Sequence, residues 1–230
     1  MQIYQIRVKV YLLQSIKYAD IQTHIAKFID EVMAEDEKFL ELHKKNEFKN
    51  YCFDSLYPIE EDKLYKEGSV YTFTIRTISK DLAEFLNSSL ANHFNNIIKG
   101  LTTEIKIIPK KLIEKIYTLT PLIIKTEKGY WKKNLSVEDF ERRIKENLIK
   151  KYNKFHNTKI KEDFELYNSI EYKNKKPVSI NYKNIKLLGD KISIKVSDDP
   201  MAQELAYLSL GTGVGESNSR GFGYVNYKWF

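Results

Sequence analysis

The sequence predicts an α+β chain made of two βαββαβ units in tandem, residues 1–112 and 113–230, joined near Pro109 to Lys115. Three observations predict it. Apolar and polar residues alternate through 2–13, the period of a half-buried strand. Ile21, Ile25, Phe28, Ile29 and Val32 recur at spacings of three and four, the period of a helix lying on a sheet. The order strand, helix, strand, strand, helix, strand then recurs in the second half.

The elements follow in order. Asp20 can cap the first helix. Glu37 to Lys45 reads as a short helix carrying Phe39, Leu40 and His43. Tyr51 to Tyr57 and Ser69 to Ile78 read as a strand pair, with Pro58, Glu60-Glu61-Asp62 and Gly68 between them. Leu82, Phe85, Leu86, Leu90 and His93 form a helical stripe that Gly100 ends, and Leu101 to Ile108 returns as a strand. In the second unit Ile116 to Lys125 is strand-like and crosses Pro121. Ser136 can cap a helix from Val137 to Lys154, with Glu138 and Asp139 in the dipole-favoured first turn. Strands are expected over 165–183 and 184–197, a short helix over Met201 to Leu210, and a closing strand over Phe222 to Trp229.

Composition narrows the function classes. Hydrophobic residues make up 42% and charged residues 30% of 230 residues, values of a folded globular chain and not a disordered one. Cys52 is alone, so no internal disulfide forms and a reduced intracellular setting is expected. The N-terminus is strand-like, and no apolar run approaches the roughly 18 residues of a membrane span. A cytoplasmic location, without membrane association, is the expectation.

The net charge of +7 is uneven. Residues 1–105 carry 13 basic and 16 acidic side chains, 106–195 carry 23 and 11, and 196–230 carry 2 and 4. A basic middle on a near-neutral frame suits a polyanion partner, although a lysine-rich composition alone would also decorate exposed faces. The main basic positions are Lys106, Lys110, Lys111, Lys115, Lys132, Lys133, Arg142, Arg143, Lys150 and Lys151. Part of the long second-unit helix could track phosphates, which gives affinity that falls steeply with salt. Tyr117, Tyr130 and Trp131 interleave with these lysines and could stack on bases, with core packing the better reading for Tyr117.

Five of nine glycines fall within Gly211 to Gly223. Such a run lets the backbone approach a ligand, and its amides together with Ser217, Asn218, Ser219 and Arg220 could cradle phosphate oxygens. A P-loop is excluded for want of Gly-Lys-Ser/Thr, and a dinucleotide fingerprint fails at Glu216. The run Gly213-Val-Gly-Glu-Ser-Asn-Ser-Arg-Gly-Phe-Gly matches, without a gap, the pattern G-hydrophobic-G-E-x-N-S-x-G-F-G. It resembles the C-terminal glycine-rich loop of CRISPR repeat-processing endoribonucleases of the repeat-associated mysterious protein (RAMP) superfamily.

That resemblance implies tandem ferredoxin-like domains, the first carrying the catalytic histidine and the second the basic helix and glycine loop. It implies cleavage of CRISPR repeat RNA by attack of the ribose 2′-hydroxyl, without metal or cofactor, to give guide RNAs. The candidate RNA contacts are then Gly213, Gly215, Ser217, Asn218, Ser219, Arg220, Gly221, Phe222 and Gly223 of the loop, together with Lys132, Lys133, Arg142, Arg143 and Lys150 from the charge pattern. Subunits of a CRISPR interference complex and a second copy of the chain are further partners it allows. A non-catalytic RNA-binding subunit of the same superfamily is the alternative reading.

Such chemistry requires a base for the 2′-hydroxyl, an acid for the leaving 5′-oxygen and positive charge near the phosphorane. Histidine titrates in the range that the first two roles require. Of four histidines, His93 reads as packing or capping and His156 as solvated. Some relatives place a catalytic histidine just after the first helix and a lysine six residues later, positions held by His43 and Lys49. The resemblance makes His43 the general acid or base and Lys49 the phosphorane's counter-charge. Some also carry a tyrosine fifteen residues before the histidine, where this chain has Phe28. The third role is then vacant or filled elsewhere, with Tyr51 and His24 as the candidates. No His, Cys, Asp or Glu cluster has metal-ligand spacing.

Overall fold

A computed structural model describes every residue except Asn46, Lys183 and Asn184. In the first half β1 (Ile3–Leu12), β2 (Ile16–Lys17), α1 (Ile21–Met33), α2 (Glu37–Lys44), β3 (Tyr51–Phe53), β4 (Leu64–Tyr65), β5 (Val70–Thr77), α3 (Lys80–Ser89) and β6 (Ile98–Ile108) follow in order. In the second half come β7 (Ile113–Thr118), α4 (Val137–His156), β8 (Tyr167–Tyr172), β9 (Val178–Tyr182), β10 (Ile185–Gly189), β11 (Ile192–Val196), α5 (Pro200–Thr212) and β12 (Val225–Trp229). The two four-stranded sheets have orders β3-β5-β1-β6 and β12-β7-β11-β8, antiparallel throughout. In each, the last strand lies beside the first and the first beside the third, the tandem ferredoxin-like arrangement.

Alternation drives the first sheet. Ile6, Val8, Val10 and Leu12 of β1 point to one face with Phe73 and Ile75 of β5, and the apolar stripes of α1 and α3 cover them. The opposite face carries Gln5, whose register partners are Arg76 and Lys106. Apolar residues of α5 are buried all round its circumference, so it lacks a single stripe. It packs against α4 and β12 of its own unit and against β1, β3 and β5 of the other. The Tyr207 hydroxyl reaches across to the Ile108 carbonyl at 2.7 Å. Burying Leu205, Leu208 and Leu210 there contributes about 2 kcal/mol each, which holds the two units together. A second tie is the β9–β10 hairpin, inserted between β8 and β11. Asn181 donates to the Ala19 carbonyl at 2.9 Å, and its carbonyl accepts from Thr23 Oγ1 at 3.1 Å.

Several local expectations are corrected. Asp20 sits at the start of α1 but does not cap it, because its carboxylate accepts from Asn181 Nδ2 at 2.7 Å. The helix expected to reach Gly100 ends at Ser89, so His93 lies in the following turn, its ring against Phe28 and between Glu31 and Glu35. Gly100 belongs to β6, where it passes under the end of α3. Strand β7 stops before Pro121, which has no N–H for a ladder. The segment expected as one strand over 165–183 is two, β8 and β9, and 184–197 holds β10 and β11. The boundary at 183 and 184 lies outside the described residues. Phe222 precedes the last strand instead of opening it. Among the described residues no helix is long and apolar enough to cross a membrane.

A Cβ at Gly100 would stand 1.9 Å from the Leu90 carbonyl oxygen, so backbone must move to admit it. Gly100→Ala is therefore expected to destabilise the chain by about 2–3 kcal/mol. Urea unfolding checks this, and an unchanged midpoint would show that the α3–β6 turn gives way freely.

Candidate functional site

A cleft of about 680 Å³ opens where the α2–β3 segment, α4 and the glycine loop meet. It brings together His43, Lys49 and Tyr51 from the first half with Gly215, Ser217, Asn218, Ser219 and Arg220 from the end of the chain. Lys44, Lys45, Lys125, Lys151 and Lys154 also line it, against the carboxylates of Glu47 and Glu216. The cleft is thus strongly basic.

Local sequence explains how His43 is placed. The Asp36 carboxylate caps α2 by accepting from the amides of Lys38 and Phe39 at 2.9 and 3.3 Å. Phe39 is buried and stacks on Phe85 of α3 at 4.6 Å between ring centres. The far end of α2 is closed by Lys49, whose ammonium donates to the carbonyls of Leu42, Lys45 and His43, the last at 2.9 Å. Burial, followed by the nearby Arg220 charge, pushes the Lys49 ammonium below its ordinary pKa. Lys49 therefore seats the helix end on which His43 rides, whatever else it does. The His43 side chain is 30% exposed, and its Nδ1 lies 3.1 Å from Oδ1 of Asp30. The other oxygen of Asp30 accepts from Arg220 at 2.5 Å.

The glycine loop is closed upon itself. Its amides at Val214, Gly221 and Arg220 bond to loop carbonyls, and those of Glu216 and Gly223 bond to Ile123 and Pro121. A Cβ on Gly223, at φ +65, would meet the Val214 oxygen at 1.9 Å, and one on Gly221, at φ +83, would meet Gln22 and Phe53 at 2.6 Å. These glycines serve close packing, and they are buried with Gly213 and Gly215, of which Gly215 lines the cleft. Phe222 is also fully buried, with Ile123 and Ile180. Asn218 turns inward, donating to Val214 and Phe222 carbonyls at 3.0 and 2.9 Å. Within the loop, Ser217, Ser219 and Arg220 are the half-exposed members of the predicted RNA-contacting set.

Lys151 was expected on a solvated basic face and is instead 2% exposed. Its ammonium donates to the carbonyls of Gly213 and Gly215 at 2.8 and 3.0 Å and to Asn218 Oδ1 at 2.7 Å, with Thr212 O at 3.5 Å. Burial pushes its pKa down to about 7, with Cys52 and Glu216 acting against the shift. The surrounding oxygens favour the ammonium as well. The sequence does hold a signal for this, since Lys151 continues the buried stripe Phe140, Ile144, Leu148.

Other predicted residues lie elsewhere. His24 is half-buried on α1 outside the cleft, its pKa lowered by burial. Tyr51 is buried at the cleft floor, and its hydroxyl faces the Ser219 carbonyl at 3.4 Å. Burial, then Asp30, holds that phenol far above its ordinary pKa, so it keeps its proton. Phe28 is fully buried. Arg142 is held between Asp139 and Glu146 at 2.7 and 2.6 Å on the outer face of α4. Arg143 donates to the Lys125 carbonyl at 3.0 Å and so supports the cleft rim. Lys132 and Lys133 lie in a short 3-10 turn away from the cleft, and Lys150 faces solvent. Trp131 belongs to the core, stacked on Phe140 at 3.9 Å, its indole N–H donating to Asp190 at 2.6 Å, where the Tyr130 hydroxyl also donates. Among the described residues no three His, Cys, Asp or Glu side chains converge as a metal site.

Unfolding returns Lys151 to its ordinary pKa of 10.5, so between about pH 7 and 10 the unfolded chain takes up a proton that the folded chain lacks. Stability from this group therefore rises with pH through that window and is flat below it. Urea midpoints taken from about pH 7 to pH 9 should climb more steeply for the wild type than for Lys151→Met. Equal slopes would mean that the ammonium does not titrate there.

Residues 104–227 match the family model described as CRISPR associated protein Cas6, C-terminal. Over 232 residues the chain is 22% identical to the CRISPR-associated endoribonuclease Cas6 2 of Methanocaldococcus jannaschii, covering 93% of this chain and 95% of that one. A solved structure named CRISPR associated protein Cas6 is similar with a TM-score of 0.74 at 24% identity, over 98% of this chain and 99% of that one. Another, described as an RAMP protein binding different RNA substrates, gives 0.72 at 20% identity over 98% and 99%. Likenesses at such identity concern the fold, and they extend over both ferredoxin-like units.

Proposed function

The chain belongs to the CRISPR-associated Cas6 family, and on that premise we propose that it is an endoribonuclease that cuts CRISPR repeat RNA to release guide RNAs. The observation that carries the reading is the partly exposed His43 ring at the wall of a basic cleft, next to the glycine loop. The curated relative's name as an endoribonuclease supports it. So does the description of a similar fold as binding RNA.

In this reading the RNA supplies its own nucleophile. The ribose 2′-oxygen forms a bond to the adjacent phosphorus while the bond from phosphorus to the 5′-oxygen breaks. The hydroxyl's proton leaves to a base, and an acid returns one to the 5′-oxygen. His43 serves one of these transfers. Cations of the cleft, among them Lys49, Lys154 and Arg220, oppose the charge that gathers on the phosphorane. The products carry a 5′-hydroxyl and a 2′,3′-cyclic phosphate, or a 3′-phosphate where water then opens the ring. No step draws on a metal ion. Phe28 leaves the role of the relatives' tyrosine to another group, and the buried, proton-retaining Tyr51 is the candidate inside the cleft.

His43→Ala should lower single-turnover cleavage of the repeat RNA of its own locus by at least about a hundredfold, with RNA affinity unchanged and no effect of EDTA on the wild type. Product-end mapping, and a 2′-deoxy substitution at the scissile nucleotide that blocks cleavage but not binding, complete the test. Full activity of the alanine variant would remove His43 from the mechanism.

A further inference from the structure

We propose that Asp30 is the positioning residue of His43, and that Arg220 of the glycine loop locks Asp30 in that role. The inference rests on the reading of His43 as the proton carrier and says how the ring is prepared for it. Three side chains from α1, α2 and the loop converge here. Asp30 Oδ1 lies 3.1 Å from His43 Nδ1, and Asp30 Oδ2 accepts from Arg220 at 2.5 Å.

The argument is one of satisfaction. Asp30 Oδ1 is shut off from solvent and has no aligned hydrogen-bond donor. The imidazole nitrogen lies within 3.1 Å, but its N–H direction is not aimed at the oxygen. A buried carboxylate oxygen without a donor is costly. If Nδ1 carried only its lone pair, two electron-rich atoms would face each other at that distance. With the proton on Nδ1, turning the ring toward the carboxylate completes the bond. The tautomer with Nδ1–H is therefore the one this site selects, and Nε2 is the atom left to exchange protons with RNA. Partners of this kind fix both the tautomer and the ring plane, as they do for metal-bound histidines.

Arg220 explains why the carboxylate stays in place. Asp30 and Arg220 are both about three-quarters buried, at 24% and 26% side-chain exposure. The guanidinium holds Oδ2, which leaves Oδ1 aimed at the ring. Arg220 is itself fixed by the closed loop, its amide bonded to the Ser217 carbonyl at 2.9 Å. The loop thus acts on the reaction through Asp30, in addition to any contact it makes with phosphate.

The test uses the full chain labelled with 15N-histidine, with His43 assigned by comparison with His43→Ala. Long-range proton–nitrogen correlation spectra at a pH where the ring is neutral should show Nδ1 protonated and Nε2 bare in the wild type. In Asp30→Asn that tautomer should lose its dominance. Its single-turnover cleavage rate should fall about ten- to a hundredfold with RNA affinity held, and Asp30→Glu should recover part of the rate. A purely structural role would lower affinity and rate together and leave the tautomer alone. A wild-type ring protonated on Nε2 overturns the proposal even if no Asp30 variant folds. So does wild-type cleavage by Asp30→Asn while His43→Ala is inactive. Full cleavage by His43→Ala instead overturns the reading of His43 on which the proposal rests.

Discussion

One buried ammonium organises the cleft. Lys151 enters from α4 and gathers the oxygens of Gly213, Gly215 and Asn218 around itself. Burying a lysine without partners would be prohibitive, so the loop must turn these oxygens inward for the helix and loop to pack at all. Asn218 then uses its amide to tie Val214 to Phe222, which closes the loop into a knot. Everything at the rim inherits its position from that knot. Ser219 is held over Tyr51, Gly221 presses on Phe53 and Gln22, and Arg220 is delivered to Asp30.

The same constraint joins the two ferredoxin-like units. His43, Lys49, Asp30 and Tyr51 come from the first, while Lys151 and the loop come from the second, so neither unit holds the cleft alone. The apolar contacts of α5 and the hairpin's bonds to α1 fix the relative placement of the units. Because α5 runs directly into the loop, its packing against β1, β3 and β5 sets where the loop begins. Both halves supply the cleft's cations: Lys44, Lys45 and Lys49 from the first, with the histidine and its carboxylate, and Lys125, Lys151 and Lys154 from the second.

Much of the fold was legible because periodicity reports burial. The stripes in α1 and α4 and the alternation in β1 each name a face, and the strand–helix order repeats. What misled were places where one residue decides a boundary through a distant contact. Gly100 looked like a helix stop, but its lack of a side chain serves the passage of β6 beneath Leu90. Asp20 looked like a cap, but its carboxylate is taken by Asn181 from the other unit. The site was legible in part for the same reason. His43, Lys49 and the loop came from matching residue types and spacing. Asp30 had no such signal, since it meets His43 and Arg220 only once α1, α2 and the loop have assembled. Lys151 had one, a cation on an apolar stripe, and was overlooked because lysine is so often solvated.

The loop's chemistry differs from what a glycine-rich run first suggests. Glycines near a phosphate often mean that amides are free to bind it. Here the amides of Val214, Glu216, Arg220, Gly221 and Gly223 already have carbonyl partners, and all five glycines are buried. Opening those bonds to receive RNA would also expose Lys151 and disturb Asp30. A loop tied in this way can act by holding side chains in place. In the proposed reading, recognition of the polyanion falls to what stands around it: Lys44, Lys45, Lys125 and Lys154, with Ser217 and Ser219 at the rim. Contacts of this kind grip a backbone without reading bases, so in that reading they would locate the strand over His43 and leave sequence choice to other surfaces.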